Sequence, residues 1–186
     1  STDGKEVYSD KNFVVSKYIE NSQNVEAQLT FCKAISIYSD GFFQMSLPYF
    51  SIGKFYNYQY EELNYYFISK ISIKLGLISN SLLNYYQADK KFPLQSISIA
   101  SEILNYFYNN LMLKEGISFI LNEKLYLHKN LYLDFFSAYF LYNSDNPINY
   151  LGVIKEKLEN IKNIDFLYSA ERDEMIKVIN ENKLEE

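Results

Sequence analysis

The 186-residue sequence has no tryptophan, one cysteine, one histidine and one arginine. Each scarcity removes a class of chemistry. Cys32 alone can form neither an intramolecular disulfide nor a thiolate metal cluster. His128 has no second histidine and no clustered cysteine beside it, so the usual zinc ligand sets are out of reach. Arg172 is the single arginine, the lysines are spread evenly, and the net charge is −5. A phosphate backbone needs clustered positive charge, so nucleic acid is not expected as a partner. No apolar run approaches the roughly 18 residues that cross a bilayer. No signal peptide is visible either. The six glycines build no phosphate-cradling loop. Glu61, Glu62, Glu156 and Glu159 read most simply as solvated helix charges. The expectation is therefore a non-enzyme with no catalytic residue, no metal, no cofactor and no small-molecule substrate.

What the chain does have is apolar and aromatic surface. Its hydrophobic fraction is 48%, which is too high for a wholly disordered chain. The aromatics are 19 Tyr and 14 Phe. Tyrosine joins an apolar ring to a polar tip, so it suits helix seams and interfaces.

The clearest organisation lies in residues 62–93. Apolar periodicity splits there at Gly76 into two helix-length halves, with Pro93 closing the stretch. Small residues (Ser69, Ser81, Ala88) stand where two helices would touch, and large ones (Tyr65, Ile68, Tyr85) stand a turn away. That is the pattern of a tight helical hairpin, which cannot bury its apolar face alone and implies similar neighbours.

Three further units follow the same logic. Helices are expected over 25–39 and 43–54, divided by the turn Ser39-Asp40-Gly41. Pro48 is tolerated early in the second of these. A third pair covers 96–110 and 114–125, with Asn109-Asn110 as its turn. A fourth covers 131–142 and 147–161, with Asn146 capping and Pro147 at the first helical position. A last helix over 165–183 carries Leu167, Met175, Val178 and Ile179 among many charges, as a capping helix should, before an acidic tail. Residues 1–24 read as an arm or short helix capped by Asp10.

Aligned on their turns, the units begin near Ala27, Glu62, Ile97 and Leu131. The eighth position holds Ala34, Ser69, Leu104 and Ala138. The twentieth holds Ser46, Ser81, Gly116 and Tyr150. The twenty-fourth holds Phe50, Tyr85, Ile120 and Ile154. Small residues let backbones approach, and large ones fill the gap between units. Gly116 inside a helix is then a contact residue whose propensity cost of ~1 kcal/mol is offset by close packing.

This register resembles the tetratricopeptide repeat family, whose units carry small, glycine, small, aromatic, alanine and proline residues in that order. The second unit matches with Ser69, Gly76, Ser81, Tyr85, Ala88 and Pro93, and the first with Ala34, Gly41, Ser46, Phe50 and Gly53. The third and fourth depart at Leu104, Leu111, Glu123, Asp134 and Tyr150. The resemblance implies an all-α, right-handed superhelical array of about four hairpins over residues 25–163, capped by 164–186.

It also implies a concave groove lined by the first helix of each unit. Carried over, the protein-binding residues are Phe31, Ile35 and Tyr38, then Tyr66, Lys70, Ile73 and Lys74. The later units supply Asn105, Tyr108 and Asn109, then Phe135, Tyr139 and Tyr142. An aromatic groove dotted with amides suits an extended peptide or an amphipathic helix. The carboxylate clamp of lysine, asparagine and arginine that the family's chaperone-tail binders use has no counterpart at the needed positions here. The occupant is open between a partner protein and the chain's own terminal helix.

The implied function is a scaffold for protein–protein interaction. The composition loosely resembles spirochaetal (borrelial) envelope-associated proteins of this repeat family. A start at Ser1 without methionine fits a bacterial envelope or membrane-associated protein whose anchor precedes the sequence, with a cytoplasmic setting as the alternative. A class II-type secretion chaperone, or a docking domain cut from a larger enzyme, are the other readings.

Overall fold

A computed structural model describes residues 25–54, 61–90 and 93–181. The expected N-terminal arm and the extreme acidic tail lie outside the described residues. Among those described, all regular structure is helical: nine α-helices and two short 3-10 turns. They are α1 (Val25–Ser39), α2 (Phe43–Gly53), α3 (Glu61–Lys74), α4 (Ile78–Asp89), α5 (Pro93–Asn109), α6 (Leu113–Asn122), α7 (Leu131–Tyr142), α8 (Leu151–Ile161) and α9 (Ser169–Asn180). The chain divides into two compact units, Ser1–Ile99 and Ala100–Glu186, with the boundary inside α5.

Three hairpin turns share one backbone design. Gly41 N donates to Tyr38 O and Phe42 N to Ile37 O, at 3.0 and 3.1 Å. Thirty-five residues on, Gly76 N donates to Ile73 O and Leu77 N to Ser72 O, at 2.9 and 2.8 Å. After the same interval, Leu111 N donates to Tyr108 O and Met112 N to Phe107 O, at 3.2 and 2.9 Å. These paired bonds are the Schellman closure, which needs a left-handed residue just past the helix. Gly41, Gly76 and Leu111 supply it, with φ of 84°, 72° and 55°.

Burial follows the same register. Ala34, Ser69, Leu104 and Ala138 are all buried, as are Phe50, Tyr85, Ile120 and Ile154. Ser46, Ser81 and Gly116 are buried at the third recurring position, while Tyr150 is half-buried. The Ser69 hydroxyl reaches Ser81 across the α3–α4 seam, 2.8 Å from its carbonyl and 3.0 Å from its hydroxyl.

Within the first unit, α1 packs on α2, α2 on α3 and α3 on α4. Its core is aromatic. Phe50 stacks on Phe67 at 4.9 Å, and the edges of Phe31 and Tyr38 meet Phe67 at 5.9 and 5.4 Å. Each such pair adds about 0.5–1.5 kcal/mol beyond its buried area.

Within the second unit, α7 is the central helix and contacts α6, α8 and α9. One ion pair is buried there: Lys157 Nζ lies 2.8 Å from Asp134 Oδ1 and donates to the His128 carbonyl at 3.0 Å. Without a partner, either charge would be costly to bury. Arg172 closes the connection from α8 to α9. Its guanidinium donates to Ile161 O at 2.8 Å and to Ile164 O, and lies 5.6 Å over the Phe166 ring.

Several local expectations need correction. Pro93 opens α5 instead of ending the preceding unit. A residue without an N–H is at home in the first turn, where that donor would have no intrahelical partner. Asn146 makes no side-chain cap, and the turn Pro147–Tyr150 precedes α8. Helix α4 starts at Ile78 after Leu77, again with no side-chain cap. Asn130 is a cap instead, accepting from Tyr132 N at 3.0 Å and Leu133 N at 3.3 Å.

Candidate functional site

The first unit places Tyr66, Lys70, Ile73 and Lys74 along α3 at offsets of four, seven and eight residues. Those offsets share one side of a helix. Tyr66, Lys70 and Ile73 are half-buried and Lys74 is exposed. Lys70 Nζ sits 3.5 Å from the Tyr66 hydroxyl, and the same hydroxyl lies 3.4 Å from Ser98 Oγ. Lys74 lies 5.0 Å over the Phe43 ring. Ile35, on α1, is half-buried against the aromatic core. Phe31 and Tyr38 differ from expectation: they are 1% and 9% exposed. Their rings are consumed by packing on Phe50 and Phe67 and cannot act as contact residues.

The second unit shows what a face of this kind can hold. Asn105 and Tyr108 on α5 and Tyr139 on α7 are half-buried, and Phe135 is fully buried. They are covered by the chain's own segment around α9. Tyr168 stacks on Phe135 at 4.6 Å with planes 5° apart, and its edge meets Tyr108 at 5.2 Å. Its hydroxyl donates to Asn105 Oδ1 at 2.6 Å. Three residues further, Glu171 Oε1 accepts from the Tyr108 hydroxyl at 3.1 Å. Phe166 adds an edge contact to Phe135 at 5.7 Å. Tyr142 is half-buried beside α9, and Asn109 remains exposed, donating to Asn105 at 3.1 Å.

Electrostatics keep these phenols protonated. Burial, the Glu171 hydrogen bond and the Glu171 charge push Tyr108 up to about 12. Burial and the charge of Glu171 also raise Tyr139, and burial with the neighbouring Tyr132 and Glu171 raises Tyr168. A neutral phenol is a donor, so each hydroxyl can bond an amide oxygen or a carboxylate.

The occupying residues Phe166, Tyr168 and Glu171 are the hardest to name from sequence. The available signal is an aromatic pair immediately ahead of a charged amphipathic helix. Comparison of the chain with protein-family models, curated proteins and solved structures finds no match. Among the described residues, no group of three or more His, Cys, Asp or Glu side chains is placed to hold a metal ion. None of their helices is long and apolar enough to cross a membrane.

Proposed function

We propose that the chain is a non-enzymatic interaction scaffold of the tetratricopeptide-repeat kind, a right-handed array of hairpins that holds a segment of another protein. The observation that carries this reading is the mode in which Asn105 and Tyr108 hold Tyr168 and Glu171. Ring contact supplies area, and amide and phenol groups fix the register of the bound segment.

The thirty-five-residue interval of the turns maps Asn105, Tyr108 and Asn109 onto Lys70, Ile73 and Lys74 of α3. The α3 positions therefore stand in the α5 register with lysine in place of both asparagines and isoleucine in place of the tyrosine. A partner segment suited to them carries an apolar or aromatic residue followed about one turn later by a carboxylate, which Lys74 would meet. Tyr66 and Ile73 supply the contact area.

Affinity capture with the wild-type chain and with a Tyr66→Ala, Ile73→Ala, Lys74→Glu variant tests this. The expected result is a partner recovered by the wild type and lost from the variant, with equal helical circular dichroism. Equal recovery by both chains rejects α3 as the binding face.

A further inference from the structure

We infer that the cavity between α7 and α9 is a binding site for an alkylammonium group. The cavity has a volume of about 240 Å³. That is the liquid-volume share of about eight waters at ~30 Å³ each, ample for a butylammonium chain.

Its two walls differ in chemistry. Tyr139 and Tyr142 from α7 present phenol rings one turn apart. From α9 come Glu171 and Glu174, with Met175 and Val178 beside them on the same side of the helix. The walls thus combine ring surface, two carboxylates, the Asn143 amide and an apolar strip, and among the described residues no lysine or arginine lines them. Arg172, on α9 between the two glutamates, is turned to the carbonyls at the end of α8 instead.

An anion would be repelled here, and a neutral aliphatic group would desolvate the carboxylates without compensation. An ammonium is attracted by the negative face of each ring and by the carboxylates, while its methylene stem suits Met175 and Val178. The Tyr139 phenol stays neutral, pushed up by burial and by the Glu171 charge. One oxygen of Glu171 is already engaged by Tyr108, so Glu174, which is exposed, is the residue to recruit the ligand charge.

Two sources carry this group: a lysine side chain of another protein, or a free polyamine. Proton–nitrogen correlation spectra of the full chain separate them, with N-acetyl-lysine methylamide, its uncharged norleucine counterpart and spermidine as probes. The expected result is a saturable shift of the amides of Tyr142, Glu174 and Val178 with the lysine amide and none with the norleucine amide. Glu174→Gln should weaken that binding roughly three- to tenfold, in keeping with one charge contact at a half-open site. Tyr142→Leu should weaken it comparably. Spermidine binding ten times tighter than the lysine amide would mark the free polyamine as the ligand, and comparable or weaker binding would mark the side chain. Equal shifts with the norleucine amide, or no shift with either cation at tens of millimolar, would overturn the site. These variants lie on α7 and α9 and those of the partner test on α3, so either reading can fail alone.

Discussion

Tyr168 lies flat on Phe135, with ring centroids 4.6 Å apart and planes within 5°. Phe135 is fully buried and Tyr168 is 7% exposed, so the stack joins the segment before α9 to the core of the second unit. Tyr168→Ala should therefore cost about 3–5 kcal/mol, the range for deleting a buried aromatic. Tyr168→Phe keeps the stack and loses only the bond to Asn105, for about 1 kcal/mol. Denaturant unfolding gives both values. Hydrogen exchange should show faster opening of the α9 amides in the alanine variant, and unchanged α9 protection would mean the stack does not hold the segment.

Gly116 and Gly152 should respond in opposite directions to the same substitution. A Cβ at Gly116 would overlap the Phe140 ring, while one at Gly152 would meet open space near the start of α8. Gly116→Ala should destabilise by about 1–3 kcal/mol through overpacking, although alanine has the better helix propensity. Gly152→Ala should stabilise by roughly 0.4–1 kcal/mol by restricting the unfolded chain. Thermal melts of the two variants check the contrast. A stabilised Gly116→Ala would show that α6 and α7 can separate at no cost.

Leu111 stands where the other two repeated turns hold glycine. Its φ of 55° is in the left-handed region, and its side chain is 80% exposed. A left-handed leucine costs roughly 1–2 kcal/mol in backbone strain, with little burial at this site to offset it. Leu111→Gly should therefore stabilise by about 0.5–1 kcal/mol once the greater freedom of glycine in the unfolded chain is counted. Gly76→Ala, at the equivalent turn, should destabilise by a similar amount. Denaturation midpoints of the two variants should move in opposite directions.

How legible the fold is in the sequence differs from residue to residue. The hairpin positions are readable because periodicity and punctuation agree: Gly41 and Gly76 mark turns, and Ala34, Ser69 and Ala138 mark seams that the structure buries. The third turn is harder, since Leu111 takes a left-handed conformation that glycine usually marks and carries no compositional signal. The face residues separate for a packing reason. A helix side of about 100° cannot be divided into core and groove by sequence alone, and Phe31, Tyr38 and Phe135 fall to the core side. The buried Asp134–Lys157 pair is invisible in the sequence, because its two charges stand on different helices and each looks solvated when read singly. Long-range partners of that sort leave no mark in local periodicity.

The cluster around Tyr108 should make stability fall at alkaline pH. Tyr108 titrates near 10 when free and at about 12 in the folded chain, chiefly through burial and then through Glu171. Between those values the folded state keeps a proton that the unfolded state has lost, so unfolding is increasingly favoured as pH rises. The contribution is fully present below pH 10 and disappears on passing through about 12. Tyr139 and Tyr168 are raised as well and act with the same sign. Tyr108→Phe should reduce the alkaline loss without abolishing it. Glu171→Gln should also reduce it, because it removes the charge that opposes ionisation of all three phenols. Denaturant midpoints measured in steps across the pH window from 10 to 12, together with tyrosinate absorbance, check both variants. A wild-type midpoint that stays flat across that window, or a Tyr108→Phe profile identical to the wild type, would mean that Tyr108 and Glu171 do not meet in solution as they do here.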